Sequence, residues 1–159
     1  MPAKILAVLF VTALPGVAAA QDAVSVERGL HISIIGGCHD CHTEGYNEAN
    51  GQIDPAKALK GVPLGWRGPW GTTYAKNLRL VAANISEDEF VGFMKGLQTL
   101  PPMPWYNVRA MEENDIRSLF QYIKSLGEPG EAMPDVVPPD AEPTTPYITI
   151  APPTMPKSG

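Results

Sequence analysis

The sequence predicts an all-α fold, a few helices joined by long loops, on three observations. Three segments carry apolar residues at the three- and four-residue spacing of one helix face. Each of the three ends at a glycine, the commonest helix stop signal. The stretch 43–85, between the first two, is rich in Gly, Pro and polar residues and holds neither helical spacing nor a sustained strand alternation. With 159 residues, 44% of them hydrophobic, the chain has the size and composition of one globular domain.

In chain order, residues 1–20 read as a secretory signal. Lys4 supplies the positive start, Ile5 begins a short apolar run that ends at Leu14, and Ala18-Ala19-Ala20 precedes a mature start at Gln21. Broken by Pro15 and Gly16, the run is short of the roughly 20 apolar residues that cross a bilayer. No later segment could span a membrane, so the mature chain is expected to be soluble and periplasmic. The first helix covers about 24–35, capped by Ser25, with Val26, Leu30 and Ile34 on one face and Gly36-Gly37 as its stop. A second begins at Ser86, where Ser86 and Glu89 form a capping box and Phe90, Phe93, Met94 and Leu97 share a face, up to Gly96. The third covers about 112–126, with Ile116, Leu119, Phe120 and Ile123 facing inward, Lys124 near its end and Gly127 beyond it.

After the domain, which is read as 21–127, residues 128–159 form a tail with nine prolines. Proline fixes φ and removes a donor, so the tail should be extended, lying over the surface or hanging free, with Tyr147-Ile148-Thr149-Ile150 as the part that docks. The formal charge is −5, and loss of Lys4 with the signal makes it −6. An acidic surface argues against nucleic acid or an anionic membrane as partner and favours steering towards a basic protein face.

Only two cysteines are present, both in Cys38-His39-Asp40-Cys41-His42. This is C-x-x-C-H, the attachment motif of c-type haem: two thiols three residues apart reach the vinyl groups on one porphyrin edge, and the next residue brings an imidazole to the iron. A large apolar cofactor would also organise 43–85, which is otherwise too long for a structureless loop. Three other readings compete. A zinc site would have to recruit His39 and His42 or distant groups into a poor tetrahedron. A thioredoxin-like pair would follow a strand, whereas this motif follows a helix. A plain disulfide, the usual fate of two exported cysteines, leaves the adjacent histidine unexplained.

A sixth iron ligand is expected in an electron-transfer haem, and methionine opposite histidine raises the potential. Met103 stands out among the methionines because Pro101-Pro102-Met103-Pro104 stiffens the loop that presents it; the alternative is a proline-rich turn with an incidental methionine. Met94 falls on the second helix's apolar face, Met111 at the start of the third, and Met133 and Met155 in the tail. His31 and His39 are further possible ligands in principle. Trp66, Trp70, Tyr74 and Trp105 are candidates to wall the porphyrin, and Arg67 and Asn77, with Tyr or Trp polar atoms, to bond its propionates.

The order of these features, from the amino-terminal helix through Cys38-x-x-Cys41-His42, long loops, a helix and a methionine loop to a carboxyl-terminal helix, resembles the class I cytochrome c family over 22–127. Arg28-Gly29, Gly36-Gly37-Cys38, Gly71-Thr72-Thr73-Tyr74-Ala75-Lys76-Asn77-Leu78 and Pro102-Met103-Pro104-Trp105 are similar, more narrowly, to cytochromes associated with periplasmic dehydrogenases. The resemblance implies a cytochrome c fold around one covalent haem c held by Cys38 and Cys41, with His42 and Met103 as axial ligands. It also implies crossed terminal helices with Gly29 near Phe120. His31 stands where such sequences often have tyrosine, and the tail has no counterpart in the minimal domain. The implied function is a non-enzymatic carrier of single electrons between redox proteins, with a periplasmic dehydrogenase as a possible donor and a cytochrome or oxidase as acceptor. Rivals are a tightly held subunit of a dehydrogenase complex, a haem enzyme or gas sensor with an open sixth position, and a non-haem exported disulfide or metal-binding domain.

Overall fold

The computed structural model describes residues 23–156. The signal assigned to 1–20 lies outside them. Among the described residues there are six helices: α1 (Val26–Ile35), α2 (Cys38–His42), α3 (Leu78–Ala83), α4 (Glu87–Gly96), α5 (Trp105–Ala110) and α6 (Glu113–Ser125). Three strands accompany them, β1 (Val62–Gly68), β2 (Gly71–Ala75) and β3 (Tyr147–Thr149), in the sheet order β2-β1-β3. The all-α expectation is therefore corrected to a helical domain with a small sheet.

The terminal helices cross at a glycine. A β-carbon on Gly29 would stand 2.0 Å from the Ser118 carbonyl oxygen and 2.6 Å from Tyr122 Cβ, so only glycine lets the two backbones come this close. Ser25 accepts the Arg28 N–H at 3.1 Å to cap α1, and its own N–H donates to Ser118 Oγ at 3.2 Å. Arg28 pairs with Asp115 at 2.6 Å across the same junction. Gly29, Ile32 and Ser33 are buried, and of the predicted face 26/30/34 Leu30 packs against the core while Val26 and Ile34 are exposed, so the crossing at Gly29 shifts the buried side of α1. His31 is also exposed.

The other two predicted helices form as expected. At α4, Ser86 Oγ accepts the Glu89 N–H at 3.3 Å and Glu89 Oε2 accepts the Ser86 N–H at 2.7 Å, a closed capping box. On α6, Ile116, Leu119, Phe120 and Ile123 are all buried and join Phe90, Met94, Val108 and Leu59 in one core.

Within 43–85 the chain makes a hairpin instead of an irregular loop. β1 and β2 are antiparallel, with Trp66 opposite Thr73 and Gly68 opposite Gly71, and the register slips between Val62 and Gly65. The tail then straddles this hairpin. Val137 exchanges backbone hydrogen bonds with Thr72 on the outer edge of β2, and β3 pairs parallel to β1 on the opposite edge. At the first crossing Gly71 has φ +102°, and a β-carbon there would meet the Val137 carbonyl at 2.3 Å. Docking is thus not confined to 147–150: hydrogen bonds from the hairpin side reach the tail from Pro129 onward.

Candidate functional site

Gly37, in the left-handed region at φ +68°, turns the chain from α1 into α2. On that single turn Cys38, Cys41 and His42 stand at i, i+3 and i+4, one face of a helix. The face borders a cavity of about 350 Å³, which lies within the range of small-molecule and cofactor sites. Leu78 and Val81 of α3, Phe93, Met94 and Leu97 around α4, and Val108 and Leu119 complete a largely apolar wall. Trp66, Thr73 and Tyr74 close it from the hairpin, and Leu100, Pro102 and Met103 from the loop between α4 and α5.

His42 is buried, and its Nδ1 lies 2.7 Å from the Lys76 carbonyl oxygen. A carbonyl only accepts, so Nδ1 carries the proton and Nε2 is left bare, the tautomer needed to ligate a metal. Burial pushes the His42 pKa down, which keeps the imidazole neutral. Burial likewise raises the Cys38 thiol to about 11 and raises that of Cys41, so both are protonated at neutral pH. His39 is differently placed: fully buried, it uses both ring nitrogens, at 3.0 Å from Ser33 Oγ and 2.8 Å from Thr43 Oγ1. Desolvation lowers its pKa to about 4. With both nitrogens engaged, His39 has no lone pair to give a metal.

Met103 borders the cavity from a loop tied down at two points. The Pro101 carbonyl accepts from Thr73 Oγ1 at 2.7 Å, and the Met103 carbonyl from the Trp105 N–H at 2.9 Å. Met94 and Met111 border the same cavity, Met94 from within the packed core.

Four predicted pocket residues are not on the lining. Arg67 turns to the tail, donating to the Ala141 carbonyl at 2.9 Å and to Glu142 at 3.2 Å. Asn77 caps α3 through the Leu80 N–H and donates to the carbonyls of Pro129 and Glu131. Trp105, at the start of α5, meets Tyr106 edge-on at 5.7 Å and carries the Arg109 guanidinium over its ring at 5.5 Å. Trp70, at the hairpin turn, packs over Gly68, and its Nε1 is a buried donor without a protein partner. Arg67 and Asn77 instead give their donors to carbonyls of the tail. The Lys76 carbonyl was invisible in the sequence, since a backbone atom makes the contact and any residue type could supply it.

The donor set fits a covalently held haem: two thiols and an imidazole with bare Nε2 on one helical face, thioethers, and an apolar wall. Among the described residues no cluster of three or more His, Cys, Asp or Glu is placed to hold a metal ion, so the zinc reading finds no ligand set there. Residues 26–127, more than half the chain, match the family model described as Cytochrome c. No curated protein and no solved structure matches the chain significantly.

Proposed function

The chain belongs to the cytochrome c family, and on that premise we propose that it is an exported monohaem carrier of single electrons. The observation that carries this reading is that Cys38, Cys41, His42 and Met103 border one apolar cavity, with His42 Nε2 left bare by the hydrogen bond from Nδ1 to Lys76. Bound haem supplies a one-electron ferric/ferrous couple. Cys38 and Cys41 would hold it through thioether bonds, His42 Nε2 and the Met103 sulfur would ligate its iron, and a thioether ligand would raise the potential. Trp66, Tyr74 and the aliphatic wall exclude water from the macrocycle. Of the candidate propionate donors, Arg67 and Asn77 are committed to the tail, and Trp66 is the indole that lines the cavity.

The partners of such a carrier are redox proteins. A periplasmic dehydrogenase as donor and a cytochrome or oxidase as acceptor fit the narrower sequence resemblance, and the formal charge of −5 favours a basic docking face. Among the described residues no helix is long and apolar enough to cross a membrane.

The visible spectrum of protein matured with haem, beside that of Met103→Ala, tests the assignment. A low-spin covalent c-type spectrum that loses its methionine charge-transfer band in the variant supports it. Absence of covalent haem would overturn the carrier reading. Covalent haem with a high-spin iron indifferent to Met103→Ala would move the function towards catalysis or gas sensing.

A further inference from the structure

Lys76 is tied at both ends. Its carbonyl accepts from His42 Nδ1 at 2.7 Å, while its ammonium donates to the Pro134 carbonyl at 3.2 Å and pairs with Asp135 at 3.3 Å. The next residue, Asn77, is buried and works in two directions. Its Oδ1 accepts the Leu80 N–H at 3.0 Å, and its Nδ2 donates to the carbonyls of Pro129 at 2.7 Å and Glu131 at 2.9 Å. The start of the tail therefore holds the residue that carries the histidine's acceptor and the residue after it. Arg67 holds a later part of the tail, 139–142, and its hydrogen bonds go to neither Lys76 nor Asn77.

We propose that the tail segment 129–135 is a positioning element for His42, fixing 76–77 so that the Lys76 carbonyl stays on the imidazole and sets the reduction potential. This rests on the reading that His42 Nε2 ligates the haem iron. An acceptor on the far nitrogen orients a ligating imidazole and makes it more basic. A more basic ligand favours the ferric state and lowers the potential, second-shell hydrogen bonding being one of the protein's means of tuning haem. Loosening the segment weakens that bond, so the potential rises.

Asn77→Ser keeps an oxygen at the helix cap, removes the Nδ2 donor and changes no charge, so its potential is free of a direct electrostatic effect. Its holoprotein is expected to rise in midpoint potential by up to a tenfold shift in the ferric/ferrous equilibrium, about 59 mV for one electron. Its His42 Nδ1–H, followed by NMR in the ferrous state, should exchange with solvent at least about tenfold faster. Lys76→Met, whose lost charge itself acts on the potential, is read by exchange alone and should also accelerate it. Arg67→Met, which removes the hold on 139–142 and leaves the contacts of 129–135 in place, should leave exchange at the parent rate.

Parent protein without covalent haem would overturn the functional reading itself. Parent with haem, and Asn77→Ser folded with parental potential and exchange, would overturn the positioning role alone. So would acceleration by Arg67→Met equal to that by Asn77→Ser. Should Asn77→Ser not fold, Lys76→Met decides: parental exchange overturns the proposal and faster exchange supports it.

Discussion

Arg67 on β1 and Ala141 in the tail are joined by a guanidinium-to-carbonyl hydrogen bond of 2.9 Å, which fastens the proline-rich tail across the hairpin. Glu142 completes an ion pair with the same guanidinium, but its side chain is 76% exposed. Exposed pairs contribute about 0–1 kcal/mol, whereas a hydrogen bond to a charged group contributes about 1.5–3 kcal/mol. The carbonyl contact should therefore dominate. Arg67→Met is expected to cost about 1.5–3 kcal/mol in urea unfolding, and Glu142→Gln less than about 1 kcal/mol. Equal losses from the two would show that the ion pair, not the carbonyl, fastens the tail.

The Gly29 crossing gives a second stability test. A methyl group there collides with the Ser118 backbone, which cannot turn aside as a side chain would. Gly29→Ala should cost at least the upper part of the range of about 1–3 kcal/mol seen for overpacking. Ala at Gly92 on α4, where a β-carbon meets nothing within 4 Å, should be neutral or stabilising. Thermal unfolding of both holoproteins measures the contrast.

What the sequence reveals follows from how each feature is encoded. The Cys38-to-His42 motif, the Ser86/Glu89 box and the α6 face are written in side chains at fixed spacing, and all are readable. The hairpin is not, because Pro63, Gly65 and Gly68 interrupt any alternation along β1, and β2 is buried on both faces. The tail's docking is hidden for another reason: its hydrogen bonds come mostly from backbone carbonyls, which every residue type has. The α1 face is legible only in part: Leu30 reaches the core, but the close contact at Gly29 leaves no hydrophobic signal. At the cavity, side-chain reasoning found the thiols, the imidazole and one of three bordering methionines, and missed the carbonyl that holds the imidazole.

Those three methionines should separate by experiment. Met94 is nearly fully buried and packs in the core as well as on the cavity wall. Met94→Ala should cost about 2–5 kcal/mol while leaving the methionine charge-transfer band in place. Met111→Ala should also keep the band and, from its more exposed site, cost less. Met103→Ala should abolish the band with little effect on the packing of α4 against α6. If the band instead disappears with Met94 or Met111, the axial ligand must be reassigned to that residue.

The capping box supplies a pH dependence whose sign can be worked out. Glu89 is held below the usual carboxylate range first by the Ser86 backbone N–H and then by the Ser86 hydroxyl. Its folded pKa is depressed, so its contribution to stability is fully present above the unfolded value of about 4.3. That contribution is lost as pH falls through the folded value. Carboxyl carbon shifts followed by NMR should place the Glu89 midpoint below the unfolded value of about 4.3. Ser86→Ala removes the hydroxyl and leaves the backbone donor, so the midpoint should move only part of the way back. The same change removes the helix cap and should cost about 1 kcal/mol at neutral pH. An unmoved Glu89 midpoint in Ser86→Ala would mean that the backbone N–H alone holds the carboxylate, and the stability loss would then belong to the cap by itself.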